Sequence, residues 1–267
     1  GQAAFAFAVY SFVVFVIQVF VAQLVLHGKV AGDLMIGADT GDLNVFKITH
    51  ILFDLDGTLS DPKEGITGSV QYALKALGID EPDADKLEPF IGPPLKDSFQ
   101  EFYGLNEEQA DFAVKKYRER FKDQGIFENT LYPGMKELLK RLNEAGCVLA
   151  VASSKPEVFV NRILNFFGIG DCFKVVVGSE LDGTRSRKEE VVSEALERLF
   201  PDENVPYESI AMVGDRKFDI SGALEFGLHP IGAAYGYAGE GELEAAGAEY
   251  IAESVEDLGL FLLEGKM

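Results

Sequence analysis

Cysteine and basic residues are scarce in this sequence of 267 residues. Its two cysteines, Cys147 and Cys172, lie far apart, so they form no disulfide framework and fit a reducing compartment. Lysine and arginine number 24 against 44 aspartates and glutamates, which gives a net charge of −20. Because such a surface repels phosphate backbones, we expect no nucleic-acid partner. An anionic substrate must instead be met by local positive charge.

Charge is also absent from a long run near the start of the chain, residues 3 to 26. As a helix, this run of about 24 residues would span roughly 36 Å, enough to cross a bilayer. Its many Val and Phe residues fit strands or a packed element equally well. The run also resembles the processed N-terminal helix of type IV pilins, although the usual acidic residue is missing. Residues 1 to 47 are therefore predicted to be an apolar segment and linker, with three alternatives open: a membrane or filament helix, a packed element, or an engineered or mis-started segment.

From Thr49 onward, short apolar runs alternate with amphipathic helix patterns, which is typical of an α/β fold with a parallel sheet. The predicted strands are residues 50 to 55, 148 to 153, 174 to 178, 209 to 215 and 249 to 252. Open sheets of this kind bind ligands at the carboxyl ends of their strands.

Residues 63 to 132 differ, because they show helix patterns and no convincing strand. One predicted helix face contains Ile66, Val70, Leu74 and Leu77, and another contains Phe112, Lys116, Tyr117, Arg120 and Phe121. We predict a helical cap over residues 63 to 132, inserted into a core made of residues 48 to 62 and 133 to 267. The predicted hinges are Ser60 to Pro62 and Tyr132 to Gly134.

Two carboxylates lie where the first predicted strand ends, Asp54 and Asp56 in FDLDGTLSD. Residues two apart on an extended strand point the same way, so both can address one reacting centre. One can attack phosphorus while the other protonates the leaving oxygen and later activates water. Gly57 permits a tight turn and offers an amide to a phosphoryl oxygen, and Thr58 can add a hydroxyl or pin the turn.

Paired carboxylates would repel a phosphate, so the site needs cations. Asp215, at the tip of a strand in GDRKFD, could hold Mg²⁺ together with Asp54 and a backbone carbonyl, and Asp219 could ligate through water or hold a lysine. Lys188 begins a helix and supplies a positive charge, and Ser153 and Ser154 can cradle phosphate at a helix start. Taken singly, each feature is more often a helix cap or a surface residue.

The ordered set of DLDGT, Ser153, Lys188 and GDxxxD resembles the haloacid dehalogenase superfamily over residues 49 to about 260. The resemblance implies a Rossmann-like parallel sheet with helices on both faces. It also implies Asp54 as the nucleophile that forms an aspartyl phosphate and Asp56 as the general acid and base. The remaining implied roles are phosphate binding by Ser153 and Lys188, magnesium binding by Asp54, the Asp56 carbonyl and Asp215, and support by Asp219.

Three further stretches are most similar to phosphoglycolate phosphatase or 5′-nucleotidase-like members with a small helical cap. They are FIGPPL at residues 90 to 95, YPGM at 132 to 135 and GSELDGTRSRK at 178 to 188. Many such phosphatases have Thr-Asn-Lys after the second strand, where this chain has Ser153, Ser154 and Lys155. This departure weakens any inference about contacts made by residue 154.

The sequence therefore predicts a Mg²⁺-dependent phosphatase of a small metabolite such as phosphoglycolate, a nucleotide or a sugar phosphate. Asp56 argues against dehalogenases and P-type ATPases, which lack the second aspartate. A phosphomutase of the β-phosphoglucomutase type stays open, as does a phosphonatase that uses Lys63, Lys75 or Lys96. The rival from another class is a membrane or filament component with a non-catalytic domain of this fold. We expect a cytoplasmic catalytic domain, membrane-associated if residues 3 to 26 are an anchor, and the oligomeric state is not predicted.

Overall fold

The computed structural model describes residues 48–202 and 204–264. Its strands, numbered along the chain, are β1 (His50–Phe53), β2 (Ser60–Asp61), β3 (Thr130–Leu131), β4 (Val148–Pro156), β5 (Val175–Ser179), β6 (Ile210–Gly214), β7 (His229–Ala233) and β8 (Tyr250–Ala252). Six of them form one parallel sheet in the order β5-β4-β1-β6-β7-β8. β1 therefore lies between β4 and β6, which positions the residue that follows it at the middle of the sheet edge.

The helices connect these strands. They are α1 (Lys63–Ala76), α2 (Leu95–Tyr103), α3 (Glu107–Phe121), α4 (Met135–Glu144), α5 (Glu157–Phe167), α6 (Lys188–Leu199), α7 (Lys217–Glu225), α8 (Glu242–Ala246) and α9 (Val255–Glu264). Short 3₁₀ helices cover Asp85–Phe90, Gly125–Phe127, Gly170–Cys172 and Tyr207–Ser209. Among the described residues, none of these helices is long and apolar enough to span a membrane.

The core is built from side chains that alternate across the sheet. Along β1, Ile51 and Phe53 belong to one buried cluster, which also contains apolar residues of α4, α5 and α9. Leu52 belongs to a second cluster, formed with residues of α6 and α7. Because strand residues point alternately to the two faces, helices must cover both of them. The predicted α/β fold class with helices on both faces is confirmed.

The structure corrects the predicted strands. β7 was missing from the prediction because its sequence, HPIGA, contains Pro230 and Gly232, both of which disfavour strand interiors. It nevertheless pairs with β6 on one side and with β8 on the other. β4 also continues to Pro156, three residues beyond the predicted end.

Residues 63 to 132 are mainly helical, with α1, α2 and α3 as the main elements, but they also contain the short strand β3, although their sequence shows no convincing strand. The apolar face of α1 is buried as predicted at Ile66, Val70 and Leu74. The face assigned to α3 was partly wrong, because Phe112 is 40% exposed and lies beneath the Lys116 ammonium. The buried side of α3 is formed by Ala110, Ala113, Tyr117 and Phe121.

The first predicted hinge pairs with the two residues that directly precede the second. β2 and β3 pair in an antiparallel manner, with Ser60 opposite Leu131 and Asp61 opposite Thr130. The division of the chain into a core and a cap stays a prediction. The predictions for residues 1 to 47 lie outside the described residues.

Candidate active site

The candidate site lies where β1 and its two neighbours, β4 and β6, end. Asp54 follows β1 directly, and its amide donates to the Val213 carbonyl over 2.9 Å. Ser153 lies in the second half of β4, and Asp215 follows β6. Neighbouring parallel strands end at the same edge of a sheet, so these side chains come together although they are distant in sequence. All three are buried, and none is more than 5% exposed.

Three buried carboxylates form an acidic cluster at this edge. Asp54, Asp215 and Asp219 each place one oxygen within 4.8 Å of the others. Burial raises the pKa of Asp215 well above its ordinary value, and repulsion by Asp219 and Asp54 adds to the rise. Burial also raises the pKa of Asp219 to about 6, although Lys188 opposes this rise. Such a cluster is favourable only if positive charge lies between the carboxylates.

The donor set of this cluster fits a hard divalent cation, which prefers carboxylate, carbonyl and water oxygens. Asp215 is held in place by the Thr58 hydroxyl, which donates to Oδ1 over 3.2 Å, and by the Tyr237 amide, which donates to Oδ2 over 2.9 Å. A Cβ atom at Gly57 would lie 2.0 Å from Asp215 Oδ2. Glycine is therefore required there, because only its backbone can approach the carboxylate this closely.

Lys188, the first residue of α6, supplies the buried positive charge. Its Nζ lies 2.7 Å from Asp219 Oδ1 and 3.0 Å from Asp54 Oδ1, and it donates to the Ala152 carbonyl over 3.1 Å. Burial lowers the pKa of this lysine, but the carboxylates of Asp219 and Asp54 outweigh burial and raise it above its ordinary value. Lys188 is therefore charged, and it connects the nucleophile candidate to the acidic cluster.

Asp56 has a partner that the sequence analysis did not assign. Lys155 donates to Asp56 Oδ2, and both side chains are nearly buried. Burial raises the pKa of Asp56, and Lys155 opposes that rise. Among the described residues, Asp56 Oδ1 has no hydrogen-bond partner, so one oxygen of the carboxyl group is held and the other is available. Side chains two residues apart on a strand point the same way, so Lys155 faces the same side of β4 as Ser153. This spacing was the signal in the sequence that could have identified Lys155.

Gly57 and Thr58 have protein partners in this structure. The Gly57 amide donates to the Ser60 carbonyl over 2.8 Å, and the residue has a φ of +81°. The hydroxyl of the fully buried Thr58 is bonded to Asp215. These contacts close the turn after Asp56 and orient Asp215. Phosphate binding by Gly57 and Thr58 stays a prediction.

Ser153 and Ser154 line the cleft beside the two aspartates. The Ser153 hydroxyl accepts a hydrogen bond from the Lys155 amide over 3.4 Å. The Ser154 carbonyl accepts one from the Ser179 hydroxyl over 2.8 Å, which ties β4 to the end of β5. Both serines are therefore held in fixed positions at the edge of the sheet, which forms one side of the cleft.

The cleft is closed on its other side by the helical residues 63 to 132. Its empty volume is about 1120 Å³, including its open mouth. The helical side of the wall is largely apolar, formed by Ile66, Phe90, Leu95, Val114, Tyr117 and Phe121. Polar groups converge at the sheet edge, and Lys96, Asp97 and Arg118 add charged groups on the helical side. The cleft therefore combines a charged floor, formed at the sheet edge, with a largely apolar roof, formed by residues 63 to 132.

Two arginines connect residues 63 to 132, the roof of the cleft, to the rest of the structure. Arg118 of α3 donates from Nη1 to the carbonyl of Leu181 over 2.8 Å. Leu181 lies just after β5. Arg216, in the GDRKFD motif, donates from Nη1 to the Ile91 carbonyl over 2.9 Å. The Nε atom of Arg216 also lies 3.0 Å from Glu242 Oε1, which fixes the side chain. We name these two contacts the arginine clasps.

Removing both arginine clasps is expected to loosen the roof. In the double variant Arg118→Met and Arg216→Met, we expect limited proteolysis at residues 60 to 63 and 130 to 134 to accelerate roughly thirtyfold, because two hydrogen bonds of about 1 kcal/mol each are lost. Arg141→Met, at an exposed position of α4, is the matched control. Equal cleavage rates in all three proteins would show that the clasps do not hold the roof closed.

The paired aspartates, the buried lysine and the acidic cluster at the edge of a Rossmann-like sheet define an enzyme of the phosphoric monoester hydrolase class. A family model described as haloacid dehalogenase-like hydrolase matches residues 51–233. The chain belongs to this family. The resemblance drawn from the motifs is confirmed.

Relatives within the family cover most of the described residues. A 5′-nucleotidase of Pseudomonas aeruginosa is 50% identical over 196 residues, which is 73% of this chain and 87% of that protein. The tyrosine-protein kinase PtkA of Mycobacterium tuberculosis is 39% identical over 187 residues, which is 70% of this chain and 62% of the kinase. The crystal structure of a predicted phosphatase from Clostridium acetobutylicum has a TM-score of 0.78 at 45% identity, covering 82% of this chain and 99% of the other.

Proposed function

We propose that this phosphatase is Mg²⁺-dependent and cleaves a small phosphate ester through a phosphoryl group carried on Asp54. The observation that supports this most strongly is the arrangement of charge around Asp54. Its carboxylate lies 3.0 Å from the buried Lys188 ammonium and shares a cluster with two further acids. Asp56, two residues away, has one oxygen available to exchange a proton.

In the proposed reaction, the phosphate group of the ester enters beside Lys188, Ser153 and Ser154. An Asp54 oxygen bonds to phosphorus while the bond from phosphorus to the leaving oxygen breaks. Asp56 donates its proton to that oxygen, and burial favours the protonated form that this step needs. Asp56 then takes a proton from a water molecule that attacks phosphorus, which releases inorganic phosphate and restores the Asp54 carboxylate.

Asp54, Asp215 and the backbone carbonyl of Asp56 would hold the magnesium ion, and Asp219 would support it while pairing with Lys188. When bound, Mg²⁺ offsets the negative charge of the carboxylates and of the phosphate group. Lys188 pairs with both the nucleophile and Asp219, and Thr58 holds Asp215 in position.

For the substrate, we propose a nucleoside 5′-monophosphate. The apolar, aromatic roof suits a ring on the leaving group better than it suits the short carboxylate of phosphoglycolate. The 50% identical relative named as a 5′-nucleotidase supports the same choice. The 39% identical relative named as a kinase makes phosphoryl transfer to another acceptor the second candidate, because an aspartyl phosphate can pass its phosphoryl group to any hydroxyl that reaches it.

The test is a panel of phosphate esters assayed with and without magnesium. Nucleoside 5′-monophosphates are expected to exceed phosphoglycolate and hexose phosphates in kcat/KM by roughly tenfold or more, and chelation with EDTA should remove activity until Mg²⁺ is restored. The matched variants are Asp215→Asn, which should raise the Mg²⁺ concentration needed for half activity, and Asp123→Asn, at an exposed position, which should not. Full activity after chelation would contradict the metal dependence, and isomerised sugar phosphate would favour the mutase.

A further inference from the structure

The roof of the cleft contains a tyrosine whose ring is locked in place. Tyr117 of α3 is 4% exposed, and its ring stacks on Phe121 with centroids 5.2 Å apart and planes at 16°. Phe121 in turn packs edge-on against Phe159 of α5 at 5.5 Å, and the Lys155 ammonium lies 4.9 Å from the Phe121 ring centroid. These contacts link the tyrosine to the lysine that holds Asp56.

The hydroxyl of Tyr117 makes no hydrogen bond within the part of the chain that the structure describes. Two other tyrosines beside the site differ: Tyr235 donates to the Thr58 carbonyl over 3.1 Å, and Tyr237 donates to the Asp61 carboxylate. The Tyr117 side chain lines the cleft together with Asp56. A tyrosine hydroxyl at the wall of a cleft that has no protein partner can donate a hydrogen bond to a bound molecule.

The hydroxyl also has a defined protonation state. Burial raises the pKa of Tyr117 well above its ordinary value, and the nearby Asp56 charge adds to the rise. The group is therefore a neutral donor, and the neighbouring Arg118 is also a donor. This corner of the roof can therefore donate to oxygen or nitrogen acceptors, and most of the roof around it is apolar.

We propose that Tyr117 is a specificity-determining residue, whose hydroxyl donates a hydrogen bond to an acceptor on the leaving group of the substrate. This inference rests on the proposed function. It requires a leaving group with an apolar ring and a polar acceptor at some distance from the phosphate. Tyr117 selects the substrate through this contact and takes no part in proton transfer.

The experiment compares two esters that share a primary alkyl leaving oxygen. Uridine 5′-monophosphate has acceptors on its sugar and ring, whereas benzyl phosphate has a ring without them. In Tyr117→Phe, which keeps the stacking on Phe121, we expect the ratio of kcat/KM for the nucleotide to that for benzyl phosphate to fall roughly threefold to fifteenfold, the effect of one lost hydrogen bond. Tyr72→Phe, at a 45% exposed position of α1, is the matched control and should keep the wild-type ratio.

Each other outcome has a definite meaning. An equal loss on both esters would overturn the inference, because Tyr117 would then act through Asp56 or the packing of the roof. An unchanged ratio would overturn it as well, and so would a wild-type protein that cleaves benzyl phosphate but not the nucleotide. In the first two cases the proposed function survives. In the third case the phosphatase reaction survives but the proposed nucleotide substrate does not. A wild-type protein that cleaves neither ester in the presence of Mg²⁺ would overturn both the inference and the proposed function.

Discussion

Asp54→Asn is expected to lower phosphatase turnover by at least about 10⁴-fold, the scale seen when a nucleophile is removed. The amide keeps the shape of the side chain but cannot attack phosphorus as an anion. The substitution also removes a carboxylate 3.0 Å from Lys188 and one member of the acidic cluster. Initial rates with a nucleoside monophosphate and with p-nitrophenyl phosphate, both at saturating Mg²⁺, provide the measurement.

The control for this variant is the same chemical change at an exposed carboxylate, Asp123→Asn, which should keep wild-type rates. Thermal unfolding of both variants distinguishes a loss of catalytic activity from a loss of the folded structure. Lys188 retains its partner Asp219 at 2.7 Å, so we expect the Asp54 variant to fold. A folded Asp54→Asn protein with more than about a tenth of wild-type turnover would rule out Asp54 as the nucleophile.

Asp56→Asn should lose about 10²- to 10⁴-fold in turnover on an alkyl ester, the usual contribution of a general acid and base. The variant keeps the nucleophile and the backbone carbonyl but cannot transfer protons. An aryl ester needs little protonation of its leaving oxygen, so its first step should suffer less than the release of phosphate. With p-nitrophenyl phosphate, we therefore expect a burst of p-nitrophenol followed by slow turnover, measured by stopped flow.

The Asp56 variant needs its own control, because Lys155 would lose the carboxylate to which it donates. An unpaired buried charge destabilises a protein by about 3 to 5 kcal/mol. The double variant Asp56→Asn with Lys155→Met removes that charge and should recover thermal stability without recovering turnover. Recovery of turnover in the double variant would show that Asp56 acts mainly through structure, which contradicts its role in proton transfer.

The ends of the strands explain how much of the site the sequence could predict. Asp54 and Asp215 follow apolar runs that form β1 and β6, and in a parallel sheet such positions must meet at one edge. Lys188 begins a predicted helix, and the order of the motifs, more than the lysine alone, assigned it to the site. These are local patterns, and the fold brings them together without altering them.

Other features depend on contacts between distant residues, which the predicted elements did not bring together. The pairing of Lys155 with Asp56 requires β4 to extend to Pro156, whereas the sequence indicated a helix start there. The exposure of Phe112 depends on which side of α3 packs against the other helices. The place of Tyr117 in the lining of the cleft is seen only once the roof and the floor are both in place.

The central claim is that the phosphoryl group passes through Asp54, and acid-quenched mass spectrometry of the Asp56→Asn protein tests it most directly. After reaction with p-nitrophenyl phosphate and Mg²⁺, the peptide that contains residues 53 to 61 should gain about 80 Da, the mass of one phosphoryl group, and fragmentation should place it on Asp54. The same peptide from Asp54→Asn should gain nothing. Phosphate on another residue, or no added mass during a burst of p-nitrophenol, would contradict the account.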